Sequence, residues 1–247
     1  MHRACSAIFA LALAHGSTAI ADTDCQGRVY LTLDTGNMAQ AELIAQTLNE
    51  TGVKATFFIA NEKTFRGDFA LDAGWGEYWR ARVREGHSFG NHTWHHDYLR
   101  RDIDATQLLA VSGAGRERRL DRRAFCGELA QVDTAFASLT GTKLAGLWRA
   151  PGGRTTQNAV LWAASCGFPL HVGWSEAGFL GDELDSEKFP NDKLRARAER
   201  EIRDGDVLMM HLGVWSRRTP FAPMLKPLIT QLKARGLCFA TLGPARR

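Results

Sequence analysis

The sequence predicts an α/β fold with about seven parallel strands, as a sheet or a barrel, on three observations. Short apolar runs alternate with amphipathic segments nearly to the C-terminus, glycines directly follow the amphipathic segments, and polar or aromatic residues recur just past the apolar runs. Repeated strand–helix alternation is the pattern of parallel strands joined by helical crossovers.

The chain has 247 residues, enough for one large domain with a well-buried core. With 45% apolar and 23% charged residues its composition is that of a globular protein. A net charge of +4 is too small to argue for a nucleic-acid partner.

Residues 1–21 read as a signal peptide. Met1-His2-Arg3 gives a short positive start, 4–14 is mostly apolar, and Ala-Ile-Ala ends at Ala21. The apolar stretch is well short of the roughly 20 residues a membrane span needs, so export is expected rather than stable membrane insertion. Residues 22–247 then form a single secreted or periplasmic domain.

Strands are expected at 29–33, 55–60, 88–91, 144–149, 170–174, 207–211 and 237–242. Helices are expected at 39–50, 75–85, 120–139, 157–165, 192–203 and 222–235. Gly52, Gly86, Gly141, Gly167, Gly205 and Gly236 each follow a helical run, where a left-handed cap favours glycine. In parallel α/β folds the working residues sit at the C-terminal ends of strands. Asp34, His92, Arg149, Trp174 and His211 all fall there. Cys25, Cys126, Cys166 and Cys238 remain after the signal; in an oxidising compartment they allow two disulfides in three pairings, and buried thiols are the alternative.

The segment GHSFGNHTWHHDYL carries four of the eight histidines. His92 and His96 are four apart, so on a helical turn both face one way and can grip one ion. Zinc also asks for a third protein ligand, commonly a carboxylate. His95 is out of phase with that pair, and Asp97 and His87 are weaker candidates. RERRLDRR, 116–123, holds five arginines and two acids and reads as a solvated helix face.

TLDTG, GNHTWHH, RAPGG and VLMMH occur in the order and approximate spacing of the polysaccharide deacetylase family, carbohydrate esterase family four, which the chain resembles from about residue 29 to 242. The resemblance implies a distorted (β/α) barrel with about seven strands. It also implies a divalent metal, typically zinc, and an acetylated glycan substrate such as chitin, peptidoglycan or an exopolysaccharide, with O-acetyl xylan in some members.

Carried over by motif, Asp34 is the general base and Arg149 the residue that orients it. His92 and His96 are metal ligands, the backbone N–H of Gly152 stabilises the oxyanion, and His211 is the acid that protonates the leaving amine. The family's second aspartate, a metal ligand, is here Thr35, whose neutral hydroxyl is a poor substitute, so metal affinity should fall. Water, Asp34 or Asp97 filling the shell is one outcome. Weak catalysis, or glycan binding alone, are the others. The carboxylate expected behind His211 is Glu176, with Asp182 as second choice. Of the seven tryptophans, Trp94, Trp174 and Trp215 suit a sugar-stacking role, Trp94 and Trp215 foremost, while Trp75, Trp79, Trp148 and Trp162 read as core.

Overall fold

The computed structural model describes residues 25–243; the signal-peptide segment lies outside the described residues. Strand β1 (Gly27–Asp34) is followed by α1 (Ala41–Thr51), β2 (Thr56–Ile59), α2 (Gly76–Arg84) and β3 (Ser88–Asn91). Three strands then come without intervening helices: β4 (Tyr98–Asp104), β5 (Gln107–Val111) and β6 (Glu117–Asp121). The βα alternation resumes with α3 (Arg122–Thr140), β7 (Leu147–Trp148), α4 (Gln157–Ser165), β8 (Leu170–His171), α5 (Asn191–Glu201), β9 (Val207–His211), α6 (Leu225–Ala234) and β10 (Leu237–Phe239).

Seven strands make one parallel sheet, in the order β10-β1-β2-β3-β7-β8 with β9 also on β1. The sheet curls into a half-barrel, as expected, and it is not closed by strands. Between β8 and β9 the gap is filled by a loop: the N–H of Ser175 donates to the Val207 carbonyl (3.1 Å), and that of Leu180 to the Met209 carbonyl (3.2 Å). Gly178 permits this close approach, since a Cβ there would lie 2.0 Å from the Val207 carbonyl oxygen.

Side chains alternate across β1. Leu31 and Leu33 are fully buried in the main apolar core under the helices. Thr32 and Asp34 take the other face and point into the half-barrel, where both bond Arg149. A second apolar cluster joins Leu99, Leu108 and Leu120 to Phe125, Trp148 and Trp162. All four tryptophans expected in the core are buried.

The sequence reading of 116–123 and of the His92–His96 turn differs from the structure. Residues 116–123 are not one helix face: β4–β5–β6 form an antiparallel sheet ending at Asp121, whose side chain accepts the Ala124 N–H and caps α3. Arg118, on β6, pairs with Asp97 (2.7 Å) and Glu128 (2.9 Å). His92 and His96 do not share a helical turn. Thr93 and His96 adopt left-handed backbone (φ 64° and 55°), and residues 92–97 form an irregular loop. The cysteines, whose pairing the sequence left open, join as Cys25–Cys238 and Cys126–Cys166.

Among the described residues, no helix is long and apolar enough to cross a membrane.

Candidate functional site

The site is assembled by register. Asp34 pairs with His211 across β1 and β9, and with Phe58 across β1 and β2, so adjacent strands end at one level. Asn91, the last residue of β3, pairs with Trp148, which puts His92 and Arg149 at the neighbouring ends. Strands some 4.8 Å apart thus bring residues far apart in sequence to one mouth.

Arg149 is fully buried and Asp34 is 2% exposed. Arg149 Nη1 donates to Asp34 Oδ1 (2.7 Å) and to Thr32 Oγ1 (2.9 Å), while Nε and Nη2 donate to the carbonyls of Val172 and Gly173. Only one of its hydrogen bonds reaches the carboxylate. The other Asp34 oxygen, Oδ2, is left 3.5 Å from His92 Nε2. Burial alone would raise the Asp34 pKa, but Arg149, then His92 and His211, outweigh it and hold the carboxyl below its ordinary value.

His92 Nδ1 lies 2.8 Å from the Arg149 carbonyl oxygen. That contact needs a proton on Nδ1, which turns the lone pair of Nε2 toward Asp34. Burial keeps the ring neutral, lowering its pKa to about 4 against the opposing pull of Asp34. The His96 ring stands 4.8 Å from that of His92. The loop between them is tied down by buried Glu128, which accepts from the His95 N–H (3.0 Å), His95 Nδ1 (2.7 Å) and Arg118. His95 is thus an anchor. His87 accepts the Ala55 N–H and is structural.

The carboxylate behind His211 is Asp182, the second choice from sequence. Its oxygens accept the His211 backbone N–H (2.7 Å) and face Nδ1 at 3.2 Å. Glu176, the first choice, is exposed in the gap-filling loop. The loop runs parallel to β9 from Ser175 beside Val207 to Leu180 beside Met209, so Glu176 lies level with the start of β9 and the residue six positions later reaches His211. Burial opposes charge on His211, but Asp182, with Asp34 and Glu183, raises its pKa to about 10.

Thr35 commits its hydroxyl to backbone groups. Its hydroxyl donates to the Phe58 carbonyl (3.0 Å) and accepts the Ala60 N–H (2.8 Å), binding β1 to the end of β2. Asp97, another sequence candidate, is held by Arg118. Sequence reasoning missed Glu62, just past the end of β2. One of its oxygens accepts the Gly36 N–H (2.8 Å) and the other lies 3.7 Å from His96 Nδ1. Its place after an apolar run was the available signal.

Two imidazoles and a carboxylate are donors that suit a divalent cation. Among the described residues, no group of three or more His, Cys, Asp or Glu side chains is set to hold an ion as it stands. The donors are of the right kind and stand as two separate pairs, His92 with Asp34 (3.5 Å) and His96 with Glu62 (3.7 Å).

Gly152 has φ 66°, and a Cβ there would meet Tyr98 at 2.9 Å. A cleft of about 200 Å³ adjoins it, lined by Tyr98, Arg100, Pro151 and Arg154. Trp174 packs over Gly153, where a Cβ would lie 2.6 Å from its ring. Trp94 is half-buried against the main core, and Trp215 is 69% exposed.

Fold and site together define a parallel α/β half-barrel with an acid–base cluster at the carboxyl ends of its strands. The chain belongs to the polysaccharide deacetylase family, whose model matches residues 21–171. A chitin deacetylase from Pestalotiopsis sp is 26% identical over 226 residues, covering 86% of this chain and 61% of that protein. The chain therefore spans about three-fifths of that relative's length. A family 4 acetyl xylan esterase from Clostridium thermocellum, solved in complex with a cobalt ion, superposes with a TM-score of 0.66 at 20% identity, covering 86% of this chain and 87% of the other. A family 4 pseudoenzyme from Bacillus anthracis superposes with a TM-score of 0.65 at 19% identity, covering 87% and 64%. At these identities the structures speak for the fold alone.

Proposed function

We propose that the protein is a secreted, metal-dependent hydrolase that removes N-acetyl groups from a polysaccharide containing N-acetylglucosamine. The observation that carries this reading is the pairing of a base and an acid with opposite environments on neighbouring strands. Asp34 is kept ionised by Arg149, and His211 is kept protonated by Asp182. Pairs of titratable groups driven apart in this way mark acid–base assignments.

Asp34 Oδ2 is the oxygen free to take a proton from an attacking water, while Arg149 fixes Oδ1. The His211 ring, its Nδ1 held on Asp182, offers Nε2 to protonate the leaving amine. The N–H of Gly152 bears part of the charge on the acyl oxygen. His92 and His96 would hold the cation, zinc by donor type. When bound, such an ion polarises the acyl carbonyl and makes water a better nucleophile at neutral pH. Trp174 walls the mouth, and Trp94 and Trp215 are the further candidates for sugar contact. The two disulfides accord with an oxidising, extracytoplasmic compartment.

The test is acetate release from N-acetylated chitin oligomers, peptidoglycan and O-acetylated xylan, with free amine counted beside it. Amine and acetate should appear together, and Asp34→Asn should cut the rate by about 10²–10⁴-fold. Acetate without amine would move the reading to an O-deacetylase. The sequestered Thr35 hydroxyl favours one further reading, a glycan-binding protein without catalysis. Saturable glycan binding with no acetate release, unchanged by Asp34→Asn, would establish that instead.

A further inference from the structure

The contacts of Glu62 go beyond anything the four motifs contain. Its carboxylate leaves the end of β2 and reaches back to the loop after β1, where Oε2 accepts the Gly36 N–H at 2.8 Å. Gly36 is the residue immediately after Thr35. The hydrogen bond fixes the carboxylate plane and leaves Oε1 facing His96 Nδ1 at 3.7 Å. The supporting loop is itself pinned. The Asn61 N–H donates to the Trp94 carbonyl (3.2 Å), inside the histidine loop, and Asn61 Oδ1 accepts the Leu71 N–H (3.1 Å). The Glu62 carboxylate is therefore fixed beside the histidine loop.

Spacing supports a shared ligand. Donors on one tetrahedral ion with bonds of about 2.0–2.1 Å lie ~3.4 Å from each other. The Glu62 Oε1–His96 Nδ1 approach, 3.7 Å, is a few tenths of an ångström wider, an edge that a cation would draw in. Of the two carboxylates, Asp34 already has one oxygen committed to Arg149. Among the described residues, the Glu62 oxygen facing His96 carries no such ion pair with an arginine or lysine. A carboxylate oriented through its other oxygen by a backbone N–H is also the way ligating carboxylates are normally supported.

We infer that Glu62 is the third protein ligand of a His92–His96–carboxylate cation site, supplying from the end of β2 the charge that the position of Thr35 does not. The inference rests on the metal-dependent reading above and deepens it. In this chain the hard oxygen donor has moved from the first strand to the second, and the threonine hydroxyl has become a structural link between them.

The test is titration of the metal-free protein with Zn²⁺ by calorimetry and with Co²⁺ by visible absorption. Wild type, Glu62→Gln, Asp34→Asn and His92→Ala are compared. Glutamine keeps an oxygen for the Gly36 N–H, so the loop should hold, which circular dichroism checks. One ion per wild-type chain is expected. Glu62→Gln should weaken binding more than about 100-fold, beyond the 10–100-fold typical of losing a supporting group, and should alter the Co²⁺ spectrum. Asp34→Asn should change affinity less than Glu62→Gln.

A loss of 100-fold or less with an unchanged Co²⁺ spectrum would reduce Glu62 to a support and overturn the inference. So would absent binding in the wild type, or a larger loss in Asp34→Asn. The two readings fail separately. Chelator-sensitive acetate release with unaltered zinc binding in Glu62→Gln sinks the ligand assignment and keeps the deacetylase. Zinc binding that depends on Glu62, without acetate release from any glycan, does the reverse.

Discussion

Arg149 Nη1 lies 2.7 Å from Asp34 Oδ1, and neither side chain is more than 3% exposed. Ion pairs this buried contribute less to net stability than to specificity, because desolvation offsets the attraction. Breaking one half is another matter. Arg149→Met should destabilise the fold by about 3–5 kcal/mol, since Asp34 is left charged in the half-barrel. It should also raise the Asp34 pKa, moving the acid limb of kcat/KM upward. Urea unfolding of Arg149→Met, Asp34→Asn and the double variant checks this. The double variant should recover part of the loss, and purely additive losses would contradict a coupled pair.

His211 and Asp182 give a pH dependence of opposite origin. The folded pKa of His211 is raised to about 10 from an ordinary value near 6.5. Its contribution to stability is therefore complete below pH 6.5 and is lost as pH rises through about 10. Activity that needs the protonated ring should persist well into the alkaline range. Asp182→Asn removes the largest attraction and should shift the alkaline limb of kcat/KM down by more than one unit. Glu176→Gln, on the exposed loop, should leave the profile in place. A profile that moves with Glu176 and not with Asp182 would reverse the assignment.

Gly152 is constrained twice, by φ 66° and by Tyr98, whose ring lies 2.9 Å from where a Cβ would sit. Gly152→Ala should cost about 1–2 kcal/mol for the left-handed backbone alone, and, if the Gly152 N–H serves the oxyanion as proposed, should lower kcat more than it raises KM. Adding Tyr98→Ala removes the clash and leaves the backbone cost. Partial rescue of kcat by the double variant is the expected result.

Much of this was readable along the chain. Apolar runs alternating with amphipathic segments that end in glycine located the parallel strands, and the bounds of β3, β9 and α4 agree with expectation to the residue. Asp34, His92, Arg149 and His211 were legible because strand ends are marked locally by where the apolar run stops. The antiparallel sheet was not, because β6 buries little besides Leu120 and its arginines resemble a helix face. What makes it a sheet is pairing with β5 and ion pairs to Asp97 and Glu128, which are tertiary facts. Glu62 escaped for the same reason: its partners Gly36 and His96 lie on other loops. Asp182 was only the second choice because the sequence does not show that residues 175–180 run parallel to β9 and so carry Asp182, not Glu176, to His211.

The disulfides divide between the frame and the periphery, and their removal should divide likewise. Cys25–Cys238 spans 213 residues and ties the start of β1 to β10; Cys126–Cys166 spans 40 and ties α3 to the end of α4. Chain-entropy reasoning assigns about 5 kcal/mol to the longer loop and about 4 kcal/mol to the shorter. Cys25→Ser/Cys238→Ser should thus lower Tm by roughly 10 °C or more, and by more than Cys126→Ser/Cys166→Ser, given about 2–4 °C per kcal/mol at this size. Neither pair touches the mouth, so kcat at 25 °C should be nearly unchanged while the fold holds. Scanning calorimetry of both pairs, with activity before and after a reducing treatment, measures this. A larger loss from the Cys126–Cys166 pair would mean that packing of α3 on α4, and not closure of the long loop, sets the stability of the half-barrel.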